Sequence, residues 1–182
     1  MLCGKVVRVI ESDGKKYTFR YPCFEDYPET RKYFNRLIAE GAMIGSDRKS
    51  STSEEMEHTA ATLKRIEGKT KVLLLVEHEG RIFGEAKVDK KTGVKSHVGE
   101  LGINLDKALR GKGLGQALME EIIKEAKKRL RIEMLELQGF SQNKAAIGLY
   151  KKMGFREAGT IKRALKRNGK YYDQITMVKY LK

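Results

Sequence analysis

The sequence predicts an α/β fold built on a mixed sheet, and three observations carry that reading. Val72 to Val76 is apolar without interruption, as in a strand covered on both faces. Leu114, Leu118, Ile122, Ala126 and Leu130 fall at four-residue steps, the mark of an amphipathic helix. Asn168-Gly169 between two β-rich runs signals a tight hairpin. Taken in order, the elements run strands, two helices, strands, and then β-α-β-α-β-β.

Val6 to Ile10 and Lys16 to Tyr21 read as short strands joined by a Ser12-Asp13-Gly14 turn. Glu25 to Glu40 reads as a helix, with Tyr33, Leu37 and Ile38 on one side and Gly41 as its stop. The polar stretch Gly45 to Ser53 is a surface loop. Thr52 and Glu55 form a capping box for a second helix that ends near Gly68. After strand Val72 to Val76, Glu79-Gly80 turns the chain into a strand from Arg81 to Asp89, and Lys90 to Lys95 turns it again into Val98 to Leu105. A helix from Gly113 to Arg131, a strand from Ile132 to Leu137 and a short helix from Asn143 to Met153 follow. Phe155 to Arg167 and Lys170 to Leu181 close the chain as a hairpin.

A chain of 182 residues is expected to form one domain over 1–182. That length buries about 70% of the unfolded surface without staples. Cys3 and Cys23 give no disulfide framework, and reduced thiols in a cytoplasmic protein are expected. No apolar run suits a signal peptide or a membrane span, so neither is expected. Net charge is +14, and Lys151 to Lys182 alone carries ten Lys or Arg against Glu157 and Asp173. That imbalance fits three readings: a ligand rich in phosphate, a nucleic-acid or ribosomal partner, or a solvated basic surface. His58, His78 and His97 have no metal-ligand spacing, and no metal is expected.

The chemistry concentrates at Arg110-Gly111-Lys112-Gly113-Leu114-Gly115, between an apolar strand and a helix. With little side-chain cover, the amides of Gly111 to Gln116 can face one way and, with the helix N-terminus, form a concave donor surface for phosphate oxygens. A Walker loop is excluded, because Gln116-Ala117 stands where Lys and Ser or Thr would be needed. A dinucleotide fingerprint is excluded by Gln116 in place of its third glycine.

About thirty residues further on stands Asn143-x-x-Ala146-x-x-Leu149-Tyr150-x-x-x-Gly154-Phe155. The two motifs, in this order and separation, resemble the GNAT superfamily of acyl-CoA-dependent N-acetyltransferases. The ending Gly169-x-Tyr171-x-Asp173-x-x-x-Met177-x-x-x-Leu181 is similar to the branch that holds polyamine acetyltransferases and ribosomal-protein-type N-terminal acetyltransferases. The resemblance covers the chain from about Val72 onward.

The resemblance implies a mostly antiparallel sheet of about seven strands flanked by about four helices. It implies acetyl-CoA as cosubstrate, with no metal, and direct transfer of the acetyl group to a primary amine in a ternary complex. It places the pantetheine arm against the backbone of Ile103 and Leu105 and the phosphates on the turn from Arg110 to Gln116. Asn143 either meets the cosubstrate or caps its helix, and Lys152 either reaches a phosphate or is solvated. Tyr150 matches the family tyrosine that protonates the leaving thiolate; its alternative is a core aromatic. Glu100, ten residues before Arg110, is the candidate general base, with Asp173 and Glu136 as alternatives to it. A base matters because a Lys-like ammonium of pKa ~10.4 costs about 4.6 kcal/mol to deprotonate at pH 7, against about 1.4 kcal/mol for an α-amine of pKa ~8. Homodimers are common in the family. A basic module that grips nucleic acid or the ribosome, without transferase activity, is the competing reading, and the paired motifs outweigh it.

Overall fold

The computed structural model describes residues 2–181. The elements are β1 (Val6–Ser12), β2 (Lys15–Arg20), α1 (Tyr27–Ala39), α2 (Thr52–Glu67), β3 (Lys71–His78), β4 (Arg81–Lys90), β5 (Val98–Leu105), α3 (Leu114–Leu130), β6 (Met134–Phe140), α4 (Lys144–Lys152), β7 (Arg156–Arg167) and β8 (Lys170–Tyr180). They form one eight-stranded sheet in the order β1-β2-β3-β4-β5-β6-β8-β7. Every neighbouring pair is antiparallel except β5 and β6. The strand count is one more than the about seven that the family resemblance implies, and matches the eight strand segments read along the sequence.

Strand β3 is buried from Lys71 through Val76, as its unbroken apolar run requires. Strand β4 alternates, with Ile82, Ala86 and Val88 buried and Phe83, Glu85 and Lys87 half-buried on the other face. Helices α1 and α2 lie over the second of these faces. Arg36 of α1 stacks on Phe83, and a pocket of about 30 Å³, large enough only for water, lies between Thr30, Glu55, Thr59, Leu73 and Glu85. Helix α3 covers the opposite face with Leu118, Met119, Ile122 and Ala126, all fully buried. Leu149 of α4 lies on this α3 side, close to Gly115.

Two local expectations are corrected. The capping box of α2 is Ser51 with Glu54, one residue before the expected pair: the Ser51 hydroxyl accepts from the Glu54 amide, and the Glu54 carboxylate accepts from the Ser51 amide. Glu55 instead turns inward, only 8% exposed, and accepts from the Ser50 hydroxyl. Cys3 and Cys23 are joined by a disulfide, with Cα atoms 4.6 Å apart, rather than standing as free thiols. The β1–β2 hairpin folds the chain back so that its two ends meet, which twenty residues of sequence separation conceal. Closing such a loop restricts the unfolded chain by about 3 kcal/mol. Cys3, Cys23 and Glu25 bring their ligand atoms within 4.8 Å of one another, but both sulfurs are consumed in the bond. Among the described residues no helix is long and apolar enough to cross a membrane.

Candidate active site

Strands β5 and β6 pair in parallel only over Val98–Met134, Gly99–Leu135 and Glu100–Glu136. Beyond that point β5 continues to Leu105 and β6 to Phe140 without pairing, so the two strands part and leave a notch in the middle of the sheet. Residues 101–105 of β5 are paired on their β4 side only, and Ile103 and Leu105 are half-buried there.

The glycine turn caps the α3 end of this notch. Gly111 and Gly113 have φ values of +78° and +79°, a left-handed backbone in which a Cβ is costly, and an added Cβ would meet nothing within 4 Å at either position. The turn is therefore built by backbone conformation, with an open surface. Among the described residues, no amide from Gly111 to Gln116 donates to a protein acceptor. These donors, with the positive end of the 17-residue helix α3 behind them, form an anion cradle. Gly115 differs: an added Cβ would lie 3.2 Å from Leu105 Cδ1 and 3.4 Å from Leu149 Cδ2, so its role is close packing of α3 on β5 and α4.

The side chains around the cradle are already engaged. The Arg110 guanidinium donates to the Leu105 carbonyl at 3.0 and 2.8 Å and pairs with Glu40, bracing the turn from behind. This leaves the Leu105 amide, rather than its carbonyl, for a ligand. Lys112 pairs with Asp13 at the tip of the β1–β2 hairpin at 2.6 Å. Gln116 donates to Glu120. Asn143 caps α4, its Oδ1 accepting from the Ala146 amide at 3.2 Å. Lys152 is exposed on the last turn of α4.

Tyr150 is 9% exposed, packs on Phe155 and, among the described residues, has no hydrogen-bond partner for its hydroxyl. Burial pushes its phenol above the ordinary range, so it stays protonated at neutral pH. Glu100 lies on the α1/α2 face, because it is opposite Asp89 in the register that places Lys71, Asp89, Glu100 and Glu136 in one row across β3, β4, β5 and β6. Its side chain is 54% exposed and stands 3.7 Å from Lys91 Nζ. The same ammonium bonds Glu136, and that hydrogen bond, with the charges of both carboxylates, holds Lys91 above its usual range. Glu100 and Tyr150 therefore approach the notch from opposite faces of the sheet.

Asp173, the other alternative acid, is engaged within its own hairpin. Asp173 accepts from Lys162 Nζ and from the Arg163 amide, both at 2.9 Å, and pins a bulge in β7 where Arg163 adopts a φ of +55°. Beyond the bulge, Arg167 donates to the carbonyls of Gly41 and Ala42, tying the β7–β8 tip to the segment after α1. Lys91 and Arg167 were invisible to motif reasoning. Lys91 sits in a stretch that reads only as a turn, and the partners of Arg167 are more than a hundred residues away.

Comparison with known proteins agrees with this geometry. A family model described as an acetyltransferase (GNAT) domain matches residues 26–176, and the chain belongs to that family. The L-amino acid N-acetyltransferase AaaT of Escherichia coli K12 is 36% identical over 102 residues, which are 56% of this chain and 63% of that protein. The chain thus aligns with a little under two thirds of this curated relative's length. A GNAT acetyltransferase from Streptococcus pneumoniae superposes with a TM-score of 0.81 at 26% identity, covering 91% of this chain and 99% of that one. A ribosomal-protein-alanine N-acetyltransferase from Brucella melitensis superposes with a TM-score of 0.77 at 25% identity, covering 90% and 99%.

Proposed function

We propose that residues 1–182 act as a single acetyl-CoA-dependent N-acetyltransferase domain, transferring the acetyl group directly to the primary amine of a small molecule. The observation that carries this reading is the junction of two features: an open cradle of free amides at Gly111 to Gln116, and a sheet that parts just beyond Glu100 and Glu136. A phosphate-bearing thioester fits such a pair, with its phosphates on the amides and its arm along the free edge of β5. Family membership supports the class of reaction, and the similarity to an L-amino acid N-acetyltransferase favours an amino acid over a polyamine or a protein N-terminus. Acetyl-CoA as cosubstrate also fits the cytoplasmic setting expected from the sequence.

In this reading Glu100, directly or through one water, takes a proton from the acceptor ammonium, so that the nitrogen lone pair can attack the thioester carbon. A backbone amide of β5 holds the oxygen on which charge builds. The carbon–sulfur bond breaks, and Tyr150 gives its proton to the departing sulfur, whose ordinary pKa near 8.5 makes it a fair leaving group already; the second proton that the nitrogen sheds as it becomes an amide passes through water and restores the phenol, while the proton on Glu100 leaves to solvent. Glu136 holds Lys91 in place beside Glu100.

The test is acetyl transfer from acetyl-CoA to a panel of L-amino acids, polyamines and short peptides, followed by thiol release and mass of the product. The proposal expects acetylated product and a fall in kcat of about 100-fold or more in Glu100→Gln, with acetyl-CoA affinity retained. Absence of product with every amine would sink the reading. Full activity in Glu100→Gln would move the base elsewhere.

A further inference from the structure

Lys87 stands on β4 opposite Gly102 of β5, on the α1/α2 face of the sheet. Its side chain lies flat across that glycine: Cε and Cγ are 3.3 and 3.6 Å from where a Gly102 Cβ would be. Any residue larger than glycine at 102 would lift the lysine away. The residue as a whole is half-buried, and among the described residues its ammonium has no hydrogen-bond or ion-pair partner. Three other cations near the sheet are matched: buried Lys71 with Asp89, and half-buried Lys91 with Glu136 and Arg36 with Asp106. A lysine without a counter-ion, its stem packed on the strand that borders the notch, is free to take its anion from a ligand.

The neighbours define the shape of that ligand. Glu100 and Asn104 flank Gly102 on the same face of β5, two residues to either side, about 6.7 Å per step. Asn104 also has no side-chain partner among the described residues. Glu85, the next acid along β4, lines the small pocket beneath α2 rather than pairing with Lys87. The surface around Gly102, crossed by the lysine stem, is therefore bounded by a carboxylate, an ammonium and a carboxamide, and lies beside the first unpaired residues of the notch.

We infer that Lys87 is the anchor for a carboxylate carried by the acceptor, and that the acceptor is an amine whose carboxyl carbon lies two bonds from its nitrogen, an α-amino acid. The ammonium of that acceptor faces Glu100, while its carboxylate meets Lys87 and Asn104. A polyamine would bring a second positive charge against Lys87 and is rejected. The inference rests on the reading of the notch as an acetylation site, and assigns Lys87 a role in selecting the acceptor, separate from the proton transfers.

The experiment compares each L-amino acid the protein acetylates with its decarboxylated amine, for example L-leucine with 3-methylbutylamine and L-phenylalanine with phenethylamine. Wild type, Lys87→Met and Lys87→Arg are measured, with acetyl-CoA affinity as a check that each variant is folded. The expected result is a wild-type preference for the amino acid. In Lys87→Met, KM for the amino acid rises about 10- to 100-fold, while KM for the amine changes by less than about threefold. Lys87→Arg restores a good part of the preference, because it keeps the charge. An equal effect of Lys87→Met on both partners of each pair, or a wild-type preference for the plain amine, overturns the inference while leaving the acetyltransferase reading intact. Failure of the wild type to acetylate either member of any pair overturns the inference, and only failure with the polyamines and peptides as well overturns the acetyltransferase reading.

Discussion

Gly113 allows backbone strain and ligand electrostatics to be separated at a single position. Its φ of +79° lies in the left-handed region, and an added Cβ would touch nothing within 4 Å. Gly113→Ala therefore costs only the left-handed penalty, about 1–2 kcal/mol. For a chain of this length that lowers the melting temperature by about 2–8 °C. Gly113→Glu carries the same backbone cost, and adds a carboxylate at the rim of the amide cradle. At about 5 Å from a bound phosphate charge, with an effective dielectric of about 20, repulsion amounts to about 3 kcal/mol, roughly 100-fold in affinity. Both variants are to be melted and then titrated calorimetrically with acetyl-CoA. The reasoning expects similar melting temperatures and affinities that differ by roughly 30- to 100-fold. If Gly113→Glu binds acetyl-CoA within about threefold of Gly113→Ala, the cradle does not hold the phosphates.

Three further outcomes follow from the same contacts. Tyr150→Phe should lower kcat by about 10- to 100-fold while leaving acetyl-CoA affinity nearly unchanged, because burial keeps the phenol protonated as a donor; an unaltered kcat would return Tyr150 to the role of a core aromatic. Tyr21→Phe removes the 2.6 Å hydrogen bond to Glu125 and leaves that carboxylate buried without its donor, a loss of about 1–3 kcal/mol to be read from urea unfolding. Glu54, bonded by Arg48 and by the Ser51 amide and hydroxyl, has its carboxyl lowered to about 2 from an ordinary 4.5. A group depressed on folding stabilises above its unfolded pKa and loses that contribution as pH falls through the folded value. Wild type should thus melt higher than Glu54→Gln at pH 7, and the gap should close between pH 5 and about 2, whereas a gap constant with pH would contradict the assignment.

Much of this architecture was legible in the sequence because local signals and burial agree there. The four-residue spacing from Leu114 to Leu130 is reproduced as α3, the apolar run at Val72 to Val76 as the buried β3, and Asn168-Gly169 as the β7–β8 turn, with both residues at positive φ. The glycine turn was legible too, since only glycine takes φ near +79° at little cost. Other features depended on registers that one sequence does not carry. Lys87 gains its meaning from lying opposite Gly102, and Glu100 from standing in one row with Asp89 and Glu136. The strand after α3 begins at Met134 rather than Ile132, because Ile132 packs into the core ahead of the ladder. The disulfide was missed because hairpin closure, not spacing, brings Cys3 to Cys23.

The most direct test of the central claim is calorimetric titration of the purified protein with acetyl-CoA, repeated with desulfo-CoA and with ATP. Micromolar affinity for acetyl-CoA, near-equal binding of desulfo-CoA and at least tenfold weaker binding of ATP are expected if the phosphates sit on the Gly111 to Gln116 amides and the pantetheine arm lies along β5. Failure of both coenzyme A compounds to bind would contradict the account and leave the glycine turn as a structural element alone.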